Sequence, residues 1–328
     1  MKIASKKAFL IGTIVSGAIL LFSPIFLPAE TPPGAKTSLQ WSGYGQVQYD
    51  SFQERTDTFR WRRARLSLKA KTSNGLQLKI QIDPTRAPSL IDLDLSLALS
   101  SLAVVHVGQF KVPFSLENLT SSSRLDTINR SRTVELLCPG QDNKAKGRDI
   151  GISVSGEWLK VKYSLGLFNG AGINCKDDND QKDIAGRFVF EPTSSLALGY
   201  SFYRGTIGSS EEVFQEKKRR NDLEAQLRTG RFFVRGEWIW GSTGEKKAEG
   251  AYILGGYELV SDKALFIFRL DKVDPDKSSP IDDFKVTTFG LTWFLGKKSK
   301  LQINYEIHQE KEIKVDNNVF LTQLQIGF

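Results

Sequence analysis

The chain has 328 residues, with 45 Lys and Arg against 37 Asp and Glu, a formal net charge of +8, two Cys, two His and one Met. Two cysteines do not make a disulfide scaffold, and two histidines without zinc-like spacing to cysteine give no metal centre of that kind. After residue 27 no run approaches the roughly 18 apolar residues of a spanning helix. The low mean hydropathy still suits a barrel in lipid, because half of its strand residues face water.

At the start, Lys2, Lys6 and Lys7 precede an apolar run from Ala8 to Leu27, followed by Pro28, Ala29 and Glu30. Residues 1–29 therefore read as an export signal. A retained anchor is the alternative, although Ser16, Gly17, Ser23 and Pro24 make a poor spanning helix. Losing those three lysines takes the net charge from +8 to +5. Residues 30–38 form a short periplasmic lead-in, and residues 39–328 one strand-rich domain.

From residue 39 onward, apolar and polar residues alternate with the period of a strand. Alternation predicts about sixteen strands, at 39–50, 58–72, 75–83, 90–99, 102–111, 148–156, 158–168, 183–191, 195–204, 219–229, 231–241, 249–260, 263–272, 283–295, 300–309 and 318–328. Tight turns such as Ser73-Asn74-Gly75, Ser100-Ser101, Gly156-Glu157 and Thr229-Gly230 alternate with longer polar loops near 51–57, 84–89, 112–147, 169–182, 205–218, 242–248, 273–282 and 310–317. A soluble β-sandwich would not keep this short–long rhythm. An all-β, transmembrane antiparallel barrel in an outer membrane does, with short turns on one rim and long loops on the other. The last strand ends flush at Phe328, which an even strand number returns to the periplasmic side with the N-terminus.

Parity then assigns faces. Leu76, Leu78 and Ile80 oppose Gln77, Lys79 and Gln81, and Leu301, Ile303 and Tyr305 oppose Gln302, Asn304 and Glu306. The apolar set faces lipid, where a charge at the midplane costs about 2–4 kcal/mol. The polar set lines a bore wide enough for water at about sixteen strands.

The densest basic run is Arg60 to Lys71. Parity sends Arg63, Arg65, Lys69 and Lys71 to the lumen, and Arg60 and Arg62 outward to the rim. Same-face residues lie about 6.6–6.8 Å apart, so these cations form a ladder. Arginine grips phosphate and carboxylate oxygens in pairs, and basic rings select anions in pores. The bland alternative is a solvated charged face balanced by acids. Lys79, Arg187, Arg228, Arg235 and Arg269 also take lumen parity, as do the acids Asp83, Glu191, Glu224, Glu237 and Asp271.

Residues 112–147 make an unusually long loop, which in a compact fold is commonly functional. Folded inward, it would narrow the bore and present Arg124, Arg130 and Arg132; an exposed surface loop is the alternative. Cys138 lies in this loop and Cys175 in the next, on the same rim. A bridge between them would pin the constriction, and two free thiols are equally compatible.

Catalysis finds little support. His308 has no serine at short spacing and His106 sits in an apolar strand. No cofactor or nucleic-acid partner is expected.

The segment Val107-Gly108-Gln109-Phe110-Lys111-Val112-Pro113-Phe114-Ser115-Leu116-Glu117 resembles the signature of the phosphate-selective porin O and P family. Arg62-Arg63-Ala64-Arg65-Leu66, Leu167-Phe168-Asn169-Gly170, Gly186-Arg187-Phe188 with Pro192, and the terminal Phe328 are similar to it as well. The resemblance spans about residues 40–328. It implies a sixteen-stranded barrel in a Gram-negative-type outer membrane, assembled as a homotrimer, with an inward third loop and a basic bore. Small inorganic anions, phosphate or polyphosphate first, are the implied cargo, and Arg63, Arg65, Lys111, Arg124 and Arg130 the implied contacts. Outer-membrane lipid and the barrel-assembly machinery, the latter through Phe328, are the other expected partners. The alternatives are a general diffusion channel with weak charge preference and a plugged structural barrel.

Overall fold

The computed structural model describes residues 37–208, 215–279, 283–310 and 317–328. The expected export signal lies outside the described residues. Sixteen antiparallel strands form one closed sheet. In chain order they are β1 (Ser38–Phe52), β2 (Thr58–Lys71), β3 (Leu76–Ile82), β4 (Leu90–Ser100), β5 (Ala103–Lys111), β6 (Arg148–Trp158), β7 (Val161–Phe168) and β8 (Asp183–Thr193). They continue as β9 (Leu196–Ile207), β10 (Glu216–Thr229), β11 (Phe232–Thr243), β12 (Lys246–Val260), β13 (Ala264–Asp274), β14 (Phe284–Phe294), β15 (Lys300–Glu310) and β16 (Val319–Gly327). Each strand pairs with its sequence neighbours, and β1 closes on β16 from Tyr44↔Gly327 to Phe52↔Val319. Phe328 and Gly43 exchange backbone hydrogen bonds of 3.0 and 3.3 Å, which satisfies the seam to its last residue. Among the described residues no helix is long and apolar enough to cross a membrane.

The faces divide as alternation requires. Leu93, Leu95, Ile253, Leu270, Leu291 and Ile326 are exposed on the outside, while Gln302, Asn304, Gln323 and Gln325 are buried inside. Trp41, Trp158 and Phe328 stand out at the short-turn rim, and Phe59 and Trp61 at the other. Large exposed aromatics at both interfaces match the girdles of a lipid-embedded barrel.

Three local expectations are corrected. Gly156-Glu157 is not a turn, because β6 continues to Trp158 and the chain reverses at Leu159-Lys160. Residues 242–248 are not a long loop: β11 and β12 pair as far as Thr243↔Lys246. Spanning needs only about 9–11 residues, and β12 has 15. Its polar end is strand that rises clear of the bilayer, which composition alone reads as loop.

The third correction concerns β2. Gln46 pairs with Arg63 but Val47 pairs with Trp61, so Arg62 is an extra residue in the ladder. Such a bulge resets the alternation. Arg60 and Arg62, assigned outward by parity, therefore point inward together with Arg63 and Arg65, while Trp61 and Leu66 remain outside.

Residues 112–147 contain two short helices, α1 (Leu116–Leu119) and α2 (Arg132–Leu137), each capped by a serine hydroxyl, Ser115 and Ser131. Val112, Phe114, Val134, Leu137 and Cys138 pack on inward-facing Tyr203, Phe233, Ile239, Tyr252, Leu254 and Ile267. The segment crosses the bore and beds on one side of it, against β9 to β15. Water and anions need polar walls, so an apolar patch inside a barrel marks where protein, not solvent, fills the space.

Candidate functional site

Lumen-facing groups of the bedding wall hold the loop by its backbone. Glu237 of β11 accepts a hydrogen bond from the Glu117 amide at 2.8 Å. Asp271 of β13 accepts from the Arg132 amide, from the Thr133 amide at 3.3 Å and from the Thr133 hydroxyl at 2.7 Å. Asn304 of β15 accepts from the Ile128 amide at 2.6 Å, and Lys300 donates to the Leu125 carbonyl at 2.5 Å. The wall acids Glu237 and Asp271 thus serve loop amides rather than the basic run.

The opposite wall is open. A cavity of about 520 Å³ lies between β2, the β3–β4 connection and the loop. Ten basic side chains line it, against the two acids Asp83 and Glu135. Arg60, Arg62, Arg63 and Arg65 come from β2, Arg86 from the β3–β4 connection, Arg130, Arg132, Lys144 and Lys146 from the loop, and Arg148 from the start of β6. Several of these cations are held by neutral acceptors. Arg63 Nη1 donates to Gln46 at 2.8 Å. Arg62 donates to Gln48, to the Ile128 carbonyl at 3.0 Å and to Asn129 at 2.8 Å. Arg130 donates to the Glu117 and Thr120 carbonyls at 3.2 and 2.8 Å. A carbonyl or amide fixes a guanidinium without cancelling its charge, so position and field are kept together.

Some pairing does occur. Arg65 meets Asp83 at 3.3 Å, Arg60 meets Asp50 at 2.7 Å, and Arg132 meets Glu135 at 3.0 Å. Burial works against ionisation of Asp83, but the Ala64 amide, the Thr85 hydroxyl and Arg65 hold its carboxyl below the usual range. Burial, with Arg148 and Arg65 next to it, pulls the Arg86 guanidinium down. Partial burial, with Arg86, Arg63 and Arg62 nearby, does the same to the Lys146 ammonium despite Glu135. Burial is the first cause of both shifts, and the like charges crowded into the same space add to it.

A second cavity of about 410 Å³ continues along β3 to β8 and shares Arg65 and Arg148 with the first. Lys79, Lys111, Arg124 and Arg187 line it. Here the signs mix. Asp92 binds Lys79 and Arg148, both at 2.6 Å, and Arg187 takes Glu224 with two nitrogens. Lys111 donates to the Asn118 carbonyl and to the Thr120 carbonyl at 3.0 Å, so it ties β5 to α1.

Of the ten candidate cations, Arg63, Arg65, Arg130 and Arg132 come together in the first cavity and Lys79, Lys111, Arg124 and Arg187 in the second, with Arg65 reaching both. Two fall elsewhere. Lys69 is exposed on β2, paired across strands with Lys79. Arg235 lies on the bedding wall and binds Asp126 of the loop at 2.7 Å. Arg60, Arg62, Arg86, Lys144, Lys146 and Arg148 were missed. The first two are hidden by the bulge, Arg86, Lys144 and Lys146 sit in loops without parity, and Arg148 falls at the junction of the long loop with the sixth strand.

The structure takes one side of the open cysteine alternative and corrects the reading of His106. Cys138 and Cys175 are not bridged: both are free, Cys138 fully buried in the loop's apolar patch and Cys175 exposed. Burial, with Asp142 close by, pushes the Cys138 thiol up. His106 is not in an apolar setting either. It faces the lumen with Nδ1 3.0 Å from Asp94 and Nε2 3.4 Å from the Ser155 hydroxyl.

A closed barrel with a greasy outer surface, aromatic girdles and a polar bore narrowed by its own third loop is a channel of the outer-membrane porin class. The family model for phosphate-selective porin O and P matches residues 36–259. The chain belongs to that family and is an outer-membrane porin. No curated protein matches it significantly in sequence. Among solved structures it is similar to an anion-selective porin from Comamonas acidovorans, with a TM-score of 0.70 at 14% identity, covering 89% of this chain and 100% of that one. It is similar to the outer membrane channel DcaP of Acinetobacter baumannii, with a TM-score of 0.64, 10% identity and coverage of 91% and 99%. The trimer form of OmpT from Vibrio cholerae aligns at a TM-score of 0.63, 8% identity and coverage of 89% and 99%.

Proposed function

We propose that this porin passes small anions, phosphate or polyphosphate first, along the basic face between β2 and the third loop. The observation that carries the reading is the cavity of ten cations against two acids. An oxyanion entering there exchanges water for guanidinium groups spaced along one wall, so it need not be fully dehydrated at any point. The two-pronged geometry of arginine fits phosphate oxygens. Successive weak sites let the ion leave as readily as it enters. No bond is made or broken. The similarity to an anion-selective porin supports the sign of the selectivity, and the family supports phosphate.

The mixed lining of the second cavity, where Asp92 and Asp94 stand among Lys79, Arg148 and Arg187, favours a second reading. In it the bore is a general diffusion channel with a transverse field and weak charge preference. In the same proposal, residues 1–29 are the export signal, the molecule is a homotrimer as the similar OmpT is, and Phe328 is read by the barrel-assembly machinery.

Planar-bilayer recording separates the readings. A reversal potential near the anion limit, with phosphate blocking chloride current, supports the anion pathway. Equal cation and anion permeability supports general diffusion. Absence of current from folded protein means a plugged barrel. Replacing Arg63 and Arg65 together by Ala should weaken anion preference, and unchanged selectivity would reject their role.

A further inference from the structure

The bedding wall carries a cluster that the anion pathway does not use. Glu224 of β10 and Glu237 of β11 are direct cross-strand partners, and Asp222 lies two residues along on the same face as Glu224. Like charges placed opposite one another oppose folding, so something must compensate them. One carboxylate oxygen from each residue lies within 4.8 Å of the others. That is the span an ion bridges when it sits about 2.3–2.6 Å from each oxygen.

Counting charges shows what is missing. Arg187 takes both oxygens of Glu224 and balances one carboxylate. Asp222 and Glu237 make no ion pair among the described residues. Asp222 is 0% exposed and its Oδ1 meets no hydrogen-bond donor; Glu237 Oε2 is likewise buried and makes no hydrogen bond. Two carboxylate oxygens sealed from solvent without a partner are, when ionised, among the costliest arrangements a protein can hold. The opposing strand leaves room for the cluster, since a Cβ at Gly199 would lie 2.5 Å from Glu224 Oε1.

We propose that Asp222, Glu224 and Glu237 bind a calcium ion that fastens the start of the third loop to the barrel wall. A divalent ion would balance the two carboxylates that Arg187 leaves without an ion pair. An all-oxygen donor set selects a hard cation over zinc or copper. Carboxylates spread over two neighbouring strands suit the loose coordination of calcium better than the strict octahedron of magnesium. The loop rests directly on this site. Glu237 Oε1 accepts from the Glu117 amide at 2.8 Å and from the Tyr252 hydroxyl at 2.6 Å. Asp222 Oδ2 lies 3.4 Å from the Ser201 hydroxyl, to which the Ser115 amide donates at 3.4 Å. An ion there neutralises and aligns the acceptors that hold residues 115–117.

The test uses the full-length protein, folded in detergent and stripped with a chelator. Terbium serves as the probe, because Tyr252 touches a proposed ligand and can sensitise its emission. Saturable emission, displaced by calcium more readily than by magnesium, is expected. Asp222→Asn and Glu237→Gln should each weaken it at least about tenfold while heat-modifiable gel migration stays that of a folded barrel. Absence of saturable emission, displacement by magnesium alone, or binding unchanged in both variants would overturn the proposal. Should both variants fail to fold, hydrogen exchange of residues 113–120 in the unaltered protein decides. Slower exchange with calcium than with chelator supports the clamp, and equal rates overturn it.

Discussion

At Arg62 one extra residue decides which medium a charge meets. Removing a unit charge about 7 Å from a permeating ion in water changes its energy by about 0.6 kcal/mol, close to threefold in a permeability ratio. Arg62→Ala should therefore lower anion preference about as much as Arg63→Ala, in reversal-potential measurements across a salt gradient. Trp61→Ala, on the lipid side, should leave selectivity unchanged. The Lys146 ammonium is held below its ordinary value by burial and by neighbouring guanidinium groups. Its charge is thus lost at a lower pH than that of a free lysine. Anion preference should start to fall with rising pH before ordinary lysines titrate, and Lys146→Arg should remove that early fall. The cysteines offer a plainer check. Cys175 should react with a maleimide in the folded protein, Cys138 only after unfolding, and gel mobility should not depend on reductant.

The third loop is a separate element bedded by its backbone. Asp271 receives three donors from the start of α2. Asp271→Ala would strand them and cost about 2 kcal/mol of docking. Faster hydrogen exchange over residues 131–137 and a larger or noisier single-channel current are expected. Gly250→Val should act in the same direction, because a Cβ at Gly250 would sit 2.8 Å from the Thr133 hydroxyl oxygen and 3.1 Å from the Lys272 carbonyl. Alternation made the strands legible in the sequence, and even the short edges near Leu90 and Val319 fall where the pattern starts. It failed where pairing was not one to one, at Arg62, and where strands rise out of the bilayer with polar residues, at Ser242 to Lys247. The site was only partly legible for a related reason. Parity names the face of a residue, but a loop has no parity. Arg86 and the carbonyl acceptors of Lys111 and Arg130 become visible only when the loop is in place. The wall acids also looked like neutralisers of the ladder until their loop-amide partners were known.

Across the whole molecule, charge is sorted by side of the bore. Apolar groups and the acids that hold loop amides concentrate where the loop beds, and ten cations line the cavity between β2, the β3–β4 connection and the loop. Raising ionic strength shortens the Debye length from about 10 Å at 0.1 M to about 3 Å at 1 M. Selectivity should therefore decline steeply with salt, as recorded by reversal potentials at a fixed gradient ratio; a flat response would point to size exclusion instead. The eccentric seat of the loop has a consequence for the shape of what can travel. A passage left beside a loop seated to one side is expected to be a slot rather than a disc, so length should matter less than girth. Slender chains of linked oxyanions should slip along the curved slot where a rounded solute of equal mass is turned away. Comparing linear tripolyphosphate with a compact, highly charged cyclitol phosphate as blockers would show that filter at work.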